Sequence, residues 1–179
     1  GGQVWNSIVT DFQKSIMDVE ATSSSKGTVS DTNSSLYGSQ ALMQNGVLVF
    51  KGNLFYNGGH SDGNTASGTA EGDSVTAAQL SASGNNNSFD SDPLLTDVDD
   101  ADGSLSPFPK SGSPALSGAM TIGETDKSKL DDSTFLTQTI FRGAFSASNN
   151  WLDGWTKIDA DGITAPLSAV SYTHLTLPT

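Results

Sequence analysis

Every apolar run in this chain is short, and turn-forming residues close it. The clearest is Val47-Leu48-Val49-Phe50, which passes through Lys51-Gly52-Asn53 into Leu54-Phe55-Tyr56 and stops at Asn57-Gly58-Gly59. Runs this short, rich in β-branched and aromatic side chains, suit strands and are too brief for a buried helix. Asn-Gly and Gly-Gly supply the positive-φ backbone that tight turns require. Strand, polar corner, short strand and second corner make the grammar of one coil in a stacked repeat. Each coil of such a stack buries a few inward side chains against its neighbours, and a single coil cannot fold alone.

The rest of the chain punctuates the same way. Val4-Trp5-Asn6-Ser7-Ile8-Val9-Thr10-Asp11-Phe12 has strand-like apolar content, and Ile16-Met17-Asp18-Val19-Glu20 alternates apolar with acidic residues. Residues 22–35 offer turn formers and no apolar face. Residues 58–72 are rich in Gly, Ser and Thr and read as a loop projecting from the stack. Val75-Thr76-Ala77-Ala78-Gln79-Leu80 suits either a short helix or a strand. No repeat of fixed period is visible.

Charge and composition remove several function classes. Leu, Ile, Val and Phe are sparse beside Ser, Thr, Gly, Asn and Asp, a balance that approaches disorder unless the apolar runs stack. A net charge of −12 with 8 Lys+Arg argues against nucleic acid, whose phosphates need clustered cations. An anionic membrane surface is disfavoured for the same reason. No stretch approaches the ~18–20 apolar residues of a spanning helix. With 0 Cys there are no disulfides, thiolate metal sites or Cys nucleophiles. The chain opens at Gly1-Gly2-Gln3-Val4 without Met, basic segment or apolar segment, so any export signal is expected upstream.

Two stretches resemble a known architecture. Asn85-Asn86-Asn87-Ser88-Phe89-Asp90-Ser91-Asp92-Pro93-Leu94-Leu95, then Asp102-Gly103-Ser104-Leu105-Ser106-Pro107, then Gly112-Ser113-Pro114-Ala115-Leu116-Ser117-Gly118-Ala119, resemble the closing segment of right-handed parallel β-helix proteins. Phe141-Arg142-Gly143-Ala144-Phe145 with Asn150-Trp151-Leu152-Asp153-Gly154-Trp155-Thr156 is similar to the terminus of large, mostly uncharacterised bacterial secreted β-helix proteins. The opening residues 2–12 resemble a preceding coil of the same group. The resemblance implies an all-β chain: the C-terminal coils of a solenoid over residues 1–140, with polar loop insertions, and an aromatic cap over 141–169. Residues 170–179, Val-Ser-Tyr-Thr-His-Leu-Thr-Leu-Pro-Thr, resemble a translated sequencing adaptor and are set aside as a non-native tail. On this reading the chain is a metagenomic fragment, truncated at both ends.

Pro93 and Pro114 cannot donate to a ladder and so belong at corners or a terminating edge. An open stack exposes an apolar cross-section, and Phe141, Phe145, Trp151 and Trp155 are expected to form its lid. The functional alternative is a sugar-stacking platform built from Trp151 and Trp155.

Calcium is the cofactor to weigh. Asp97, Asp99, Asp100 and Asp102 concentrate carboxylates before Gly103, as hard-cation sites do. The string departs from an EF-hand, with Ala101 at the fifth place and Asp102 where Gly is required. Asp159-Ala160-Asp161-Gly162 repeats its ending. The plainer reading of both is a solvated acidic turn. A pectate-type lyase needs a basic residue as proton acceptor, for which Lys51 and Arg142 are the candidates, both inside patterns that look structural. A hydrolase needs paired carboxylates, and no pair stands out. His60, the only histidine before residue 170, sits in a Gly-rich loop and reads as an exposed loop residue. Asn85-Asn86-Asn87 fits either an asparagine ladder along stacked corners or a plain loop.

The expectation is a structural, surface-exposed portion of an exported bacterial protein, in adhesion or glycan contact, without catalysis of its own. The rival is the end piece of a polysaccharide lyase or hydrolase whose active site lies upstream. Location is secreted or outer cell surface, and the partner is an extracellular glycan or surface component.

Overall fold

Asn6 divides the first apolar stretch into two strands. Its backbone is left-handed (φ 51°), a conformation Asn tolerates better than most side chains, and it bends the chain between β1 (Gly2–Trp5) and β2 (Ile8–Phe12). The same bend recurs at Gly52 (φ 67°), between β3 (Leu48–Lys51) and β4 (Leu54–Gly58). It recurs again at Asn86 (φ 50°), after the 3-10 turn Ser83–Asn85. The computed structural model describes residues 2–12, 16–17, 42–43, 45–58, 74–89, 91–98, 105–123 and 137–163.

The strands pair in parallel, level on level. β1 lies against β3, from Gly2 opposite Leu48 to Trp5 opposite Lys51, and β2 lies against β4, with Ile8 opposite Leu54 and Phe12 opposite Gly58. A parallel bridge from Leu54 to Ser88 extends the register to a third level. There the Gly52 N–H donates to Asn85 O at 2.7 Å and the Phe55 N–H to Ser88 O at 2.8 Å. At the far end of β2 and β4 a second left-handed pair is stacked, Asp11 (φ 62°) over Asn57 (φ 51°), with Asn57 Nδ2 donating to Asp11 Oδ1 at 2.6 Å.

The stacked bends are locked by side-chain amides. Asn53 Oδ1 accepts the Ser7 N–H, and Asn87 Oδ1 accepts the Asn53 N–H, both at 2.9 Å. The other end of each amide repeats the pattern: Asn53 Nδ2 donates to Val4 O and Asn87 Nδ2 to Phe50 O, at 3.0 and 2.9 Å. Each Asn thus satisfies one donor and one acceptor on the level before it. Asn53 is wholly buried, where an unpaired amide would cost several kcal/mol, so the ladder fixes vertical register as well as bending the chain. Of the two readings left open for Asn85-Asn86-Asn87, the ladder is the one observed, through Asn87.

Gly52 has no substitute at its bend. Beyond its positive φ, a Cβ there would fall 2.3 Å from Asn6 Oδ1 and 3.2 Å from Met120 Cβ. Beneath the bends runs the core. Val9 sits opposite Phe55, and the Phe55 ring stacks on Phe89 with centroids 5.5 Å apart. Met43, Leu80, Leu48 and Phe50 close around them, with Ile16 and Met17 packed alongside. Burying a Phe side chain contributes about 2–3 kcal/mol, and a column of three aligned levels is where this chain concentrates that gain.

Residues 74–81 form a helix, α1 (Ser74–Ser81), and not a strand. Ala77, Ala78, Gln79 and Leu80 are good helix formers. Ser81 Oγ donates back to Ala77 O at 2.9 Å, and Asn85 Nδ2 takes Gln79 O at 2.6 Å where the helix ends.

β5 (Leu95–Asp97) and β6 (Ser106–Pro109) pair antiparallel, with a bulge between Leu95 and Asp97. Pro107 and Pro109 lack the N–H that an inner strand needs, which suits a two-stranded pair. Ser113 Oγ caps the turn Pro114–Leu116 by accepting the Ala115 N–H at 3.0 Å, and donates to Pro93 O. One hydroxyl therefore joins the Asp92-Pro93-Leu94 and Ser113-Pro114-Ala115 segments. The chain ends its described course in α2 (Lys157–Ala160), capped by Thr156. Among the described residues no helix is long and apolar enough to cross a membrane.

Candidate ligand-contact surface

Phe108, between the two prolines of β6, is buried and anchors a run of aromatic rings. Phe145 meets it edge to face at 4.9 Å, Trp151 stacks on Phe145 at 5.6 Å and 15°, and Trp155 follows at 5.9 Å and 33°. Exposure rises along the run, to 43% at Trp151 and 71% at Trp155. The tight turn from Trp151 to Trp155 makes this possible. Gly154 holds a positive φ of 83°, its N–H donates to Asp159 Oδ2 at 2.9 Å, and Thr156 Oγ1 donates to the carbonyl of the buried Leu152 at 2.8 Å. Trp155 Nε1 donates to the Trp151 carbonyl, which fixes the second indole against the first.

Trp151 and Trp155 are thus brought together, as the sequence suggested, but in succession along a stack. The broad exposed indole surface belongs to Trp155. The run packs on Phe108 of the β5–β6 pair, and the aromatic ring inside the parallel stack is a different set, Phe55 with Phe89. Phe141 is half-buried.

Beside the foot of the run is a hollow of about 340 Å³, lined by Thr96, Ser106, Lys110 and Ser111 together with Phe108, Pro109, Leu116 and Ala147. Thr96 Oγ1 already donates to Phe108 O at 2.9 Å. Phe108 is the one aromatic ring among its lining residues, so the hollow and the exposed Trp155 indole are separate contact places at the two ends of the run, and the indole is the end suited to the apolar face of a sugar. This hollow was not legible in the sequence, because it needs β5, β6 and residue 147 side by side. Its one local signal was the unusual Ser-Pro-Phe-Pro string.

The other candidates fall as follows. Asp97 lies on β5, half-buried, while Asp99, Asp100 and Asp102 lie outside the described residues, as does His60. Among the described residues no three His, Cys, Asp or Glu side chains gather as a metal site. In the second acidic string, Asp159 accepts the Gly154 N–H and Asp161 pairs with Lys157, one helical turn apart. Lys51 places its ammonium over the Trp5 ring, 5.0 Å from the centroid. Arg142 is buried against the third bend, with Nη2 donating to Asn86 O at 3.3 Å, while Nε has no hydrogen-bond partner. Burial holds its guanidinium below the ordinary Arg range. A Cβ on Gly118 would come 3.0 Å from Arg142 Nη2, so that glycine gives the guanidinium its space. A cation so enclosed packs and braces; it is not poised to take a proton from a polymer in solvent. No family model matches this chain, and no curated protein or solved structure matches it either.

Proposed function

We propose that this chain is a surface-exposed portion of an exported bacterial protein of the right-handed parallel β-helix type, and that it contacts glycan without cleaving it. The observation that carries the functional part is the aromatic run that climbs from buried Phe108 to a largely exposed Trp155. Isolated exposed apolar residues are ordinary, whereas an exposed indole braced by two further rings is a shaped contact. The architectural part is supported by parallel pairs in register and by the repeated amide ladder at their bends. Coils of this kind leave their connecting loops at the surface, which fits a polar, acidic chain at the cell exterior.

The test is retention of the full chain on a panel of insoluble polysaccharides. The chain is expected to be retained, and Trp155→Ala is expected to weaken retention about tenfold. Release of reducing ends or unsaturated uronate from the panel would replace this reading with that of a polysaccharide-cleaving enzyme. Calcium enters the proposal only at Asp97, Asp99, Asp100 and Asp102. The expected outcome of chelation is an unmoved melting midpoint. A calcium-dependent shift that Asp99→Ala with Asp102→Ala abolishes would instead place the ion there.

A further inference from the structure

A second hollow, also about 340 Å³, lies at the first bend, where Gln3 and Trp5 of β1 meet Ile122, Thr137, Thr139 and Gly143. Its walls come from segments far apart in sequence, yet they are tied to one another. Asn6 grips the Met120 backbone from both sides, its Nδ2 donating to Met120 O at 2.9 Å and its Oδ1 accepting the Met120 N–H at 2.7 Å. Gln138 repeats the clasp one step along: Nε2 donates to Met120 O and Oε1 accepts the Ile122 N–H, both at 3.0 Å. The Gly143 N–H donates to Asn6 O at 2.6 Å, and a Cβ on Gly143 would fall 2.8 Å from Ile8 Cδ1, so this wall is backed by packed side chain. The walls are thus held to one another by hydrogen bonds within the chain, which lowers the ordering cost of binding.

Its lining is chemically mixed in one particular way. The indole of Trp5 and the alkyl group of Ile122 give apolar surface. Trp5 Nε1 donates to Gln3 Oε1 at 2.9 Å, which turns the amide so that its NH₂ is left to donate elsewhere. Thr139 Oγ1 donates to Phe141 O at 3.0 Å and keeps its lone pairs as acceptors, while Thr137 adds a second, solvent-facing hydroxyl. No ionised side chain is among the lining residues, and the Lys51 ammonium beside them is already engaged over the Trp5 ring, so a charged ligand would lose water with little counter-charge gained. A purely apolar ligand would cover the amide and hydroxyls and leave them unpaired. A ring with an apolar C–H face and a rim of neutral hydroxyls meets both demands. The volume lies near the low end of the ~300–1,000 Å³ typical of small-molecule sites, which suits one ring and not a long oligomer.

We infer that this hollow is a subsite for one uncharged pyranose unit, seated on the Trp5 indole with Gln3, Thr137 and Thr139 at its hydroxyls. The inference rests on the reading that the chain contacts glycan, and adds to it a second place and a charge class. The cation over the indole has a part as well: Lys51 fixes the ring through a cation–π contact, so the platform does not have to be ordered by the sugar.

The chain has 3 Trp, so the indole N–H signals in a proton–nitrogen correlation spectrum report the two places separately. The full chain would be titrated with cellobiose, maltose, chitobiose and a galacturonate trimer. The expected result is that the Trp5 signal moves with at least one neutral disaccharide. Trp5→Ala should weaken that binding about tenfold. Thr137→Val, which alters only an exposed hydroxyl, should weaken it about threefold with the spectrum otherwise unchanged, and Trp155→Ala should leave it intact. Movement of the Trp151 and Trp155 signals alone overturns the inference and leaves the glycan reading standing. A Trp5 response stronger to galacturonate than to every neutral sugar overturns the charge class and with it the proposal. No response at any indole to any sugar overturns both.

Discussion

The laddered stack and the aromatic segment solve the same problem in opposite ways. In the stack, residues 2–12, 48–58 and 84–89 lie level on level, and the groups that align them are polar: an amide on the second and on the third level satisfies a backbone donor and acceptor on the level before. In the segment 141–163 the aligning groups are rings that open progressively to solvent toward Trp155, and Leu152 is its one buried apolar side chain among the described residues. Buried amides tolerate no substitute, because a lost partner leaves a desolvated group behind. Exposed rings lose only contact area. The comparison separates the part of the molecule that specifies structure from the part free to be specialised for contact.

Substitutions can break that contrast or sharpen it. The largest expected effect is Asn53→Leu, which keeps volume but strips partners from the Ser7 N–H and the Val4 carbonyl. A loss of about 3–5 kcal/mol in urea unfolding is expected. Gly52→Ala follows at about 2–3 kcal/mol, from left-handed strain together with the collision on Asn6 Oδ1. Arg142→Met should raise stability by about 1 kcal/mol, because it replaces a buried cation with an orphan Nε and one long hydrogen bond by an apolar chain of similar length; a loss instead would show that the Asn86 contact carries the bend. The smallest is Trp155→Ala, at no more than about 0.5 kcal/mol. A cost as large as that of Asn53→Leu would mean that the aromatic segment specifies structure after all.

The strands and corners were legible because their chemistry is local. Val47 to Tyr56 announced β3, a bend and β4 almost residue by residue, and the structure carries β4 on through a left-handed Asn57 to Gly58. The ladder was harder. Asn6-Ser7-Ile8-Val9, Gly52-Asn53-Leu54-Phe55 and Asn86-Asn87-Ser88-Phe89 share one grammar, a left-handed residue, a residue at the ladder position and two more, the second of which joins the aromatic and aliphatic core. Four-residue likenesses at unequal intervals carry no period, so the sequence left Asn87 between ladder and loop. Trp151 and Trp155 stood out as aromatics, but whether their rings would lie side by side or in succession depends on the turn at Gly154. Neither hollow could be read in advance, since each needs three segments to meet.

The ladder has a consequence for how such a chain varies over generations. Ser7 and Asn53 are 46 residues apart and Asn53 and Asn87 only 34, yet the same pair of hydrogen bonds forms across each step. Vertical alignment is thus indifferent to how much chain is spent between one amide and the next. Closing a longer excursion costs only logarithmically more entropy. Insertions and deletions can therefore accumulate between the bends while the bends themselves stand still, and a lineage carrying this device is free to rewrite its exterior without renegotiating its interior.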